Sequence, residues 1–594
     1  MKELIKKRIS NLRTEMQKEG LDAYIIYGTD PHLSEYIPAR WQTRTFIAGF
    51  TGSAGMVIVS REKAALWTDS RYFLQAEIQL SGTGIELVKM RTPGQPEPHE
   101  WLKMNLKTGA SVGTDEWCIS VNQFRMMQKN LEQTGLFLKE AGDLLDKIWT
   151  DRPTLPDSAV YEHLLEFACT DRKTKFEAIC NELDKSGTNM QIITALDDLA
   201  WTFNLRGSDV EYNPVFLAYA VISREEIFLF IESGKVPLEL RNKLESEGIQ
   251  IRAYNELTGL LHQLPATARI LVDPDRTNHA ILKNIPIHCK VIEGLSAPCK
   301  LKAIKTEDEI RNIRQAMRKD GVAMVEFLFW LKNNLRKIRI TEYTVAEKLN
   351  EFRSRQPDFK GISFYPIVGY KEHGAIVHFH VSEDNALPIE KDGFLLFDSG
   401  GQYTDGTTDV TRTIALSELT PRQKTDFTVT LKGMISLTLA KFPVNTRGYH
   451  LDILARKDMW QHGMNYGHGT GHGVGYFLNV HEGPMAIRQE FNERVIEAGM
   501  VLSNEPAFYR LGEYGLRTEN MMVCLKDEST EYGDFLRFDT LTLCPIDTNA
   551  IDKNLLNPEE INWLNNYHQW VYEELETLIA EELKGFLKEL TEPI

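Results

Sequence analysis

Five side chains in the second half of the sequence are of types that bind metal: Asp398, Asp409, His472, Glu505 and Glu519. Four carboxylates and one imidazole, with no thiolate, make a hard-ligand set that could hold two divalent ions. Two such ions about 3.5–4 Å apart can bridge a hydroxide and drive hydrolysis. Elements that bring scattered residues to one point are therefore required.

The segment GFLLFDSGGQYTDGTTDVTRTIAL (393–416) reads as an apolar strand ending at Asp398, a glycine-containing polar turn and a second strand beginning at Asp409. The same plan recurs in GMVLSNEPAFYRLGEYGLRTENMMVCL (499–525), with Glu505 on the outgoing strand and Glu519 on the return. Two hairpins with an acid on each strand predict two related halves facing each other across a site. An Asp in a turn is ordinarily a turn former. Carboxylates within or beside apolar strands are harder to dismiss, because burial without a partner is costly.

His472 lies in the glycine-rich run HGTGHGVG (468–475), between the two hairpins. His468 and His472 have the i, i+4 spacing of an HExxH helix, but Gly469 stands where that motif needs Glu, and the alternating glycines oppose a helix. No Gly-Lys-Ser/Thr follows, so the run is not a phosphate-binding loop either. It predicts extended backbone passing close to another chain segment, with histidines projecting from it. His373, His378, His380, His468, His472 and His481 cluster within about a hundred residues.

These motifs carry a family resemblance. GGQYTDGTTDVTRT, HGTGHGVGYFLNVHEGP, SNEP and LRTEN resemble aminopeptidase P, the Xaa-Pro aminopeptidase of the pita-bread metallopeptidases. FIAGFTGSAG (46–55), LWTDSRYFLQAE (66–77) and LDDLAWTFNLRGSDVEYNPVF (196–216) extend the likeness to the long, three-domain cytosolic type. The nine-residue step from His472 to His481 agrees with that subclass. The resemblance implies that Asp398 binds one metal, Asp409 and Glu519 bridge both, and His472 and Glu505 hold the second, with manganese as the usual ion. It further implies a bridging hydroxide, Glu505 as general base, and His481 polarising the scissile carbonyl. His378 and His468 would line a proline pocket, and Arg517 would brace the ligand carboxylates. Taken singly, His378, His468 and His481 read better as structural histidines; the functional reading comes from the motif. His373 and His380 match no role. The implied substrates are proline-containing peptides with a free N-terminus, and the implied assembly is a homodimer.

The front of the chain reads as one α/β unit used twice. A helix, a glycine and a strand occur at 8–30 and again at 174–197, and MVIVSREKAALWTD (56–69) parallels YAVISREEIFLFIE (219–232). Helices alternating with strands predict α/β domains. The proline-bearing linker DRPTLPDSAV (151–160) and the T-x-x-E capping box at Thr306 and Glu309 set the expected domains at 1–155, 156–305 and 306–594. The expected fold class is thus α/β with a duplicated front, and the resemblance implies two creatinase-N-like domains followed by a catalytic pita-bread domain. Asn557 and Pro558 begin a C-terminal helix with an apolar stripe of Leu564, Tyr567, Val571, Leu575, Leu578 and Phe586. The run PARWQTRTF (38–46) reads as exposed; Trp41 and Phe46 either pack a loop or reach the site, from this chain or a neighbouring subunit. Asp69 and Arg71 either reach a site or close an internal ion pair.

Bulk properties exclude several classes. A formal charge of −16 argues against a nucleic-acid partner. The N-terminal residues form an amphipathic pattern (Leu4, Ile5, Ile9, Leu12, Met16) without an apolar targeting core, and no apolar run is long enough for a membrane span. Seven scattered cysteines without a CxxC pair suit reduced thiols in a cytoplasm. Rival readings are a prolidase-type Xaa-Pro dipeptidase, whose members are usually shorter, and creatinase, which lacks the acidic ligands. A non-catalytic peptide-binding module of the same fold would show eroded ligands, and all five stand here.

Overall fold

The computed structural model describes residues 1–594. It divides into a front unit, residues 1–163 with 170–301, and a catalytic unit, residues 302–594 with Leu164–Cys169.

In the front unit the helix Lys2–Lys18 buries Ile5, Ile9, Leu12 and Met16, whereas Leu4 is exposed. Six strands follow: β1 (Ala23–Tyr27), β2 (Met56–Ser60), β3 (Ala64–Thr68), β4 (Glu86–Lys89), β5 (Ser111–Thr114) and β6 (Phe137–Glu140). They form one sheet in the order β4-β3-β2-β1-β5-β6. A second set, β7 (Met190–Ile193), β8 (Tyr219–Ser223), β9 (Ile227–Phe230), β10 (Ile249–Arg252), β11 (Arg269–Val272) and β12 (Lys290–Glu293), forms a sheet in the order β10-β9-β8-β7-β11-β12. Matching pairs run in the same sense: β1–β2 and β7–β8 are antiparallel, β1–β5 and β7–β11 parallel. The fold is therefore a duplicated α/β unit. The β-branched central strands β1, β2 and β8 are almost entirely buried, as strands covered on both faces must be.

Two readings of the front are settled here. The aromatics of PARWQTRTF are not exposed: Trp41 and Phe46 are buried, Phe46 stacks on Trp149 at 4.3 Å, and Arg8 lies 4.0 Å over the Phe46 ring. Arg44 is spent inside, donating to the Gly52 and Gly55 carbonyls. The run packs its own domain because its aromatics have partners there. Asp69 and Arg71 close a two-pronged pair at 2.8 and 2.7 Å.

The catalytic unit opens on the 28-residue helix Glu307–Asn334, whose Thr306–Glu309 capping box is formed in both directions. Its apolar face belongs to the large core that also takes in Leu564, Val571, Leu575 and Phe586. The C-terminal stripe is not one helix. It breaks into Pro558–Leu575 and Glu581–Leu590, and Leu578 in the break is exposed. The break lets Phe586 turn back to Phe329 on the long helix, with ring centroids 5.4 Å apart.

The strands here are β13 (Ile367–Tyr370), β14 (Phe394–Ser399), β15 (Val410–Ala415), β16 (Lys441–Pro443), β17 (Gly471–Gly473), β18 (Glu482–Ile487), β19 (Val501–Asn504), β20 (Ala507–Arg510), β21 (Tyr514–Arg517), β22 (Asn520–Thr530) and β23 (Gly533–Thr540). β13, β14 and β15 form a three-stranded sheet, and a six-stranded sheet runs β16-β23-β22-β19-β17-β18. In each sheet one antiparallel pair, β14–β15 or β19–β22, is interrupted by a short hairpin: Gly401–Tyr403 with Gly406–Thr407, and β20 with β21. The repeated plan is thus visible, with an additional small hairpin inserted in each copy.

The segment Leu164–Cys169 belongs to this unit although its sequence neighbours do not. Tyr476 donates its hydroxyl to the Phe167 carbonyl at 2.6 Å, and the Asn312 amide donates to Tyr476 at 2.9 Å and to the Cys169 sulfur at 3.3 Å.

Candidate active site

The two strand pairs bring four carboxylates to one place. Asp398 is the penultimate residue of β14 and faces Thr411 across the ladder; Asp409 immediately precedes β15. Glu505 follows β19 and Glu519 precedes β22, where Asn504 pairs with Asn520. β17 carries His472 into the same sheet. Its flanking glycines are required by close approach: a Cβ at Gly471 would lie 2.0 Å from the Ser503 carbonyl, and one at Gly473 2.3 Å from that of Glu482.

Asp409, His472 and Glu519 place ligand atoms within 4.8 Å of one another. His472 Nε2 lies 3.5 Å from Asp409 Oδ2 and 3.4 Å from Glu505 Oε1. Its Nδ1 is 2.9 Å from the Gly473 carbonyl, an arrangement that leaves Nε2 to face the carboxylates. Asp398 Oδ1 and Glu519 Oε1 are buried with no hydrogen-bond partner in the protein. Their other oxygens are taken: Arg517 Nη2 donates to Asp398 Oδ2 at 2.6 Å, and Thr411 Oγ1 to Glu519 Oε2 at 2.7 Å. Orphaned oxygens within a crowd of buried carboxylates call for cations, so the residues present fit a divalent metal pair.

Electrostatics agree. Burial, then repulsion from Asp398 and Glu505, pushes Asp409 well above the ordinary carboxylate range. Burial and the charge of Asp409 do the same to Glu519. Glu505 is raised to about 7, chiefly by burial, with Arg517 opposing the rise. Burial works against the Arg517 charge, but Tyr509, Asp398, Glu505 and Glu519 outweigh it and hold the guanidinium cationic.

A pH effect follows, with its sign fixed. In the metal-free protein these carboxylates bind protons more tightly folded than unfolded, so stability falls as pH rises from the ordinary carboxylate value through about 7. Cations relieve that repulsion. The gain in thermal midpoint on metal loading should therefore grow from pH 5 to pH 8, measured by scanning calorimetry with chelator and with metal. A gain that shrinks over this window would contradict the assignment.

The remaining residues form a shell. Arg517 Nη1 donates to the Tyr509 hydroxyl at 2.6 Å, and that hydroxyl lies 2.9 Å from His468 Nε2. Arg517 Nε also donates to Thr411 at 3.1 Å. His481 is half-buried, its ring 4.4 Å from that of His472 and close to perpendicular. His378 stands half-buried on the loop 376–380, outside the strands that carry the five. His373 is engaged by buried Glu342 at 2.8 Å, and His380 packs on Tyr365 at 4.3 Å.

Two groups escaped the sequence reading. Tyr509 links His468 to Arg517, and its only signal is a place on the strand beside the Arg517 strand. Asp452 and Arg456, four apart on the helix Gly448–Gln461, are buried. Arg456 donates to the Tyr466 and His468 carbonyls at 2.8 Å each, and Thr470 donates to Asp452 at 2.5 Å. That pair supports the glycine-rich loop.

Comparison with known proteins follows the same division. The model for Metallopeptidase family M24 matches residues 311–526, and two models for the Creatinase/Prolidase N-terminal domain match, one at 8–148 and the other at 151–309. The C-terminal region of peptidase M24 matches 534–594. A probable Xaa-Pro aminopeptidase P of Coprinopsis cinerea is 37% identical, the alignment covering 99% of this chain and 98% of that one. The chain belongs to the aminopeptidase P family. Xaa-Pro aminopeptidase 1 of Dictyostelium discoideum is 37% identical over 97% of this chain and 94% of its own. Among solved structures, the X-prolyl aminopeptidase of Caenorhabditis elegans, described as a cytosolic enzyme with a di-nuclear active site, superimposes with a TM-score of 0.94. It is 33% identical and covers 99% of both chains.

Proposed function

We propose that this family member is a metal-dependent aminopeptidase that hydrolyses the N-terminal Xaa-Pro bond of peptides. The observation that carries the reading is the meeting of Asp398, Asp409, His472, Glu505 and Glu519 with two carboxylate oxygens left unpartnered. These five would hold two divalent ions, which when bound supply Lewis acidity and lower the pKa of water toward neutrality. The oxygen-rich set suits Mn²⁺.

Glu505, 3.4 Å from His472 Nε2 among the ligand carboxylates, is assigned as the general base that takes a proton from the attacking water. His481, beside His472, is placed to donate to the oxyanion that develops on the scissile carbonyl. Arg517 keeps Asp398 in orientation and, through Tyr509, fixes His468. His468 and His378 are assigned to the wall that receives the proline ring. His468→Ala should accordingly raise KM more than it lowers kcat in steady-state kinetics. The reverse split would remove His468 from substrate binding.

The expected partners are proline-containing peptides with a free N-terminus and a second copy of this chain, in the cytoplasm, with no nucleic-acid or membrane partner. No helix is long and apolar enough to cross a membrane. Metal content measured together with cleavage of Xaa-Pro-Xaa against Xaa-Pro tests the whole reading. Turnover of the dipeptide alone would make the protein a prolidase, and absence of both metal and turnover would leave a peptide-binding module.

A further inference from the structure

The segment that enters the catalytic unit carries two lysines, Lys302 and Lys305, whose side chains are no more than 1% exposed. Both reach Glu482, itself buried. Lys302 donates to Oε2 at 3.1 Å and Lys305 to Oε1, so each carboxylate oxygen has its own ammonium. Two buried ammonium groups thus share one buried carboxylate. A well-packed apolar trio would usually serve stability as well or better, so the cluster calls for a role other than packing.

Its surroundings indicate one. Glu482 is the first residue of β18 and directly follows His481. Across the ladder Glu482 pairs with Gly473, the neighbour of His472. The same entering segment is stitched to the turn that leads into β19: the Lys305 N–H donates to the Gly499 carbonyl at 2.9 Å, and Ile304 bridges to Met500. Lys302, Ile304 and Lys305 therefore hold both the start of the strand after His481 and the start of the strand that leads to Glu505. Gripping both oxygens of Glu482 fixes the plane of its carboxylate and, through one peptide unit, the backbone from which His481 projects.

We infer that Lys302 and Lys305, acting through Glu482, are positioning residues for His481. This rests on the oxyanion role proposed for His481. The decisive variant is Lys302→Met with Lys305→Met and Glu482→Leu, which removes the buried carboxylate together with both ammonium groups that reach it. In the metal-loaded, full-length enzyme its thermal midpoint and metal content should stay close to wild type. Its kcat should fall by about 10–100-fold with KM little changed, the cost of misplacing one catalytic group by a fraction of an ångström to an ångström. The single variant Lys305→Arg, which keeps a cation on the Glu482 carboxylate, should retain most of kcat.

A double-mutant cycle separates positioning from bulk stability. In a His481→Asn background the triple change should cost no further kcat, because the group it positions is gone. A triple variant with wild-type kcat, or one whose loss persists in full in the His481→Asn background, overturns the inference. If His481→Asn alone keeps wild-type kcat, the oxyanion role has failed instead. Should the triple variant not fold, Lys302→Met, which leaves Glu482 its Lys305 partner, is read through the same cycle with the same outcomes.

Discussion

Asp409→Asn is expected to abolish peptide cleavage and deplete the metal, while the two six-stranded sheets of the front unit remain folded; Glu519→Gln should do the same. Asp409, Glu519 and His472 bring ligand atoms within 4.8 Å of one another. Glu519 is further set apart by its unpartnered Oε1, held in place because Thr411 occupies Oε2. An amide in either position keeps the shape but removes the charge that offsets two cations, so both ions should loosen together. Metal analysis of the purified variants, far-ultraviolet circular dichroism and initial rates check the result. A variant retaining both metals and more than about a tenth of the wild-type rate, an effect of only ~1.4 kcal/mol, would exclude a bridging carboxylate at that position.

The second large effect concerns His481. Its replacement by Asn should lower kcat by about 10²–10³-fold, the usual loss when an oxyanion donor is removed. The ring stands perpendicular to that of His472, 4.4 Å away, close to the carboxylates without belonging to their cluster. Metal content should consequently be preserved. That separates His481 from Asp409 and Glu519 in one pair of measurements. If His481→Asn lost metal in proportion to activity, His481 would belong with the ligands and the oxyanion would need another donor.

The meeting of the five residues was legible because each leaves a local trace. A carboxylate ending FLLFD or following VLSN is out of place on an apolar strand, and a histidine among alternating glycines signals backbone packed against backbone. The duplicated front was legible for a similar reason, since strands rich in Val and Ile recur at matching intervals.

What escaped depends on partners distant in sequence. Tyr509 is one tyrosine among many until His468 and Arg517 are seen on either side of its hydroxyl. Asp452 and Arg456 have the spacing of an ordinary surface pair on a helix, and only the fold buries them. Lys302 and Lys305 leave no local trace of their role because Glu482 lies about 180 residues away along the chain. Trp41 and Phe46 misled in the opposite direction: basic neighbours gave the run a surface look, while Trp149 and the interior carbonyls that bind Arg44 lay out of view. The break after Leu575 carries no glycine or proline, so nothing local announces it.

The short stretch Leu164–Cys169 makes the catalytic unit discontinuous in sequence, and this limits how the protein can be taken apart. No single cut releases a complete hydrolytic half. A fragment beginning at Lys302 would lack the Phe167 carbonyl that accepts from Tyr476, four residues beyond His472. The lost hydrogen bond would cost about 0.5–1.5 kcal/mol, at the root of the loop that presents His472. Truncation or domain-exchange designs that respect only the apparent boundary near residue 302 would therefore begin with a weakened centre. Restoring activity to such a fragment would require supplying the missing hexapeptide as well as the folded remainder.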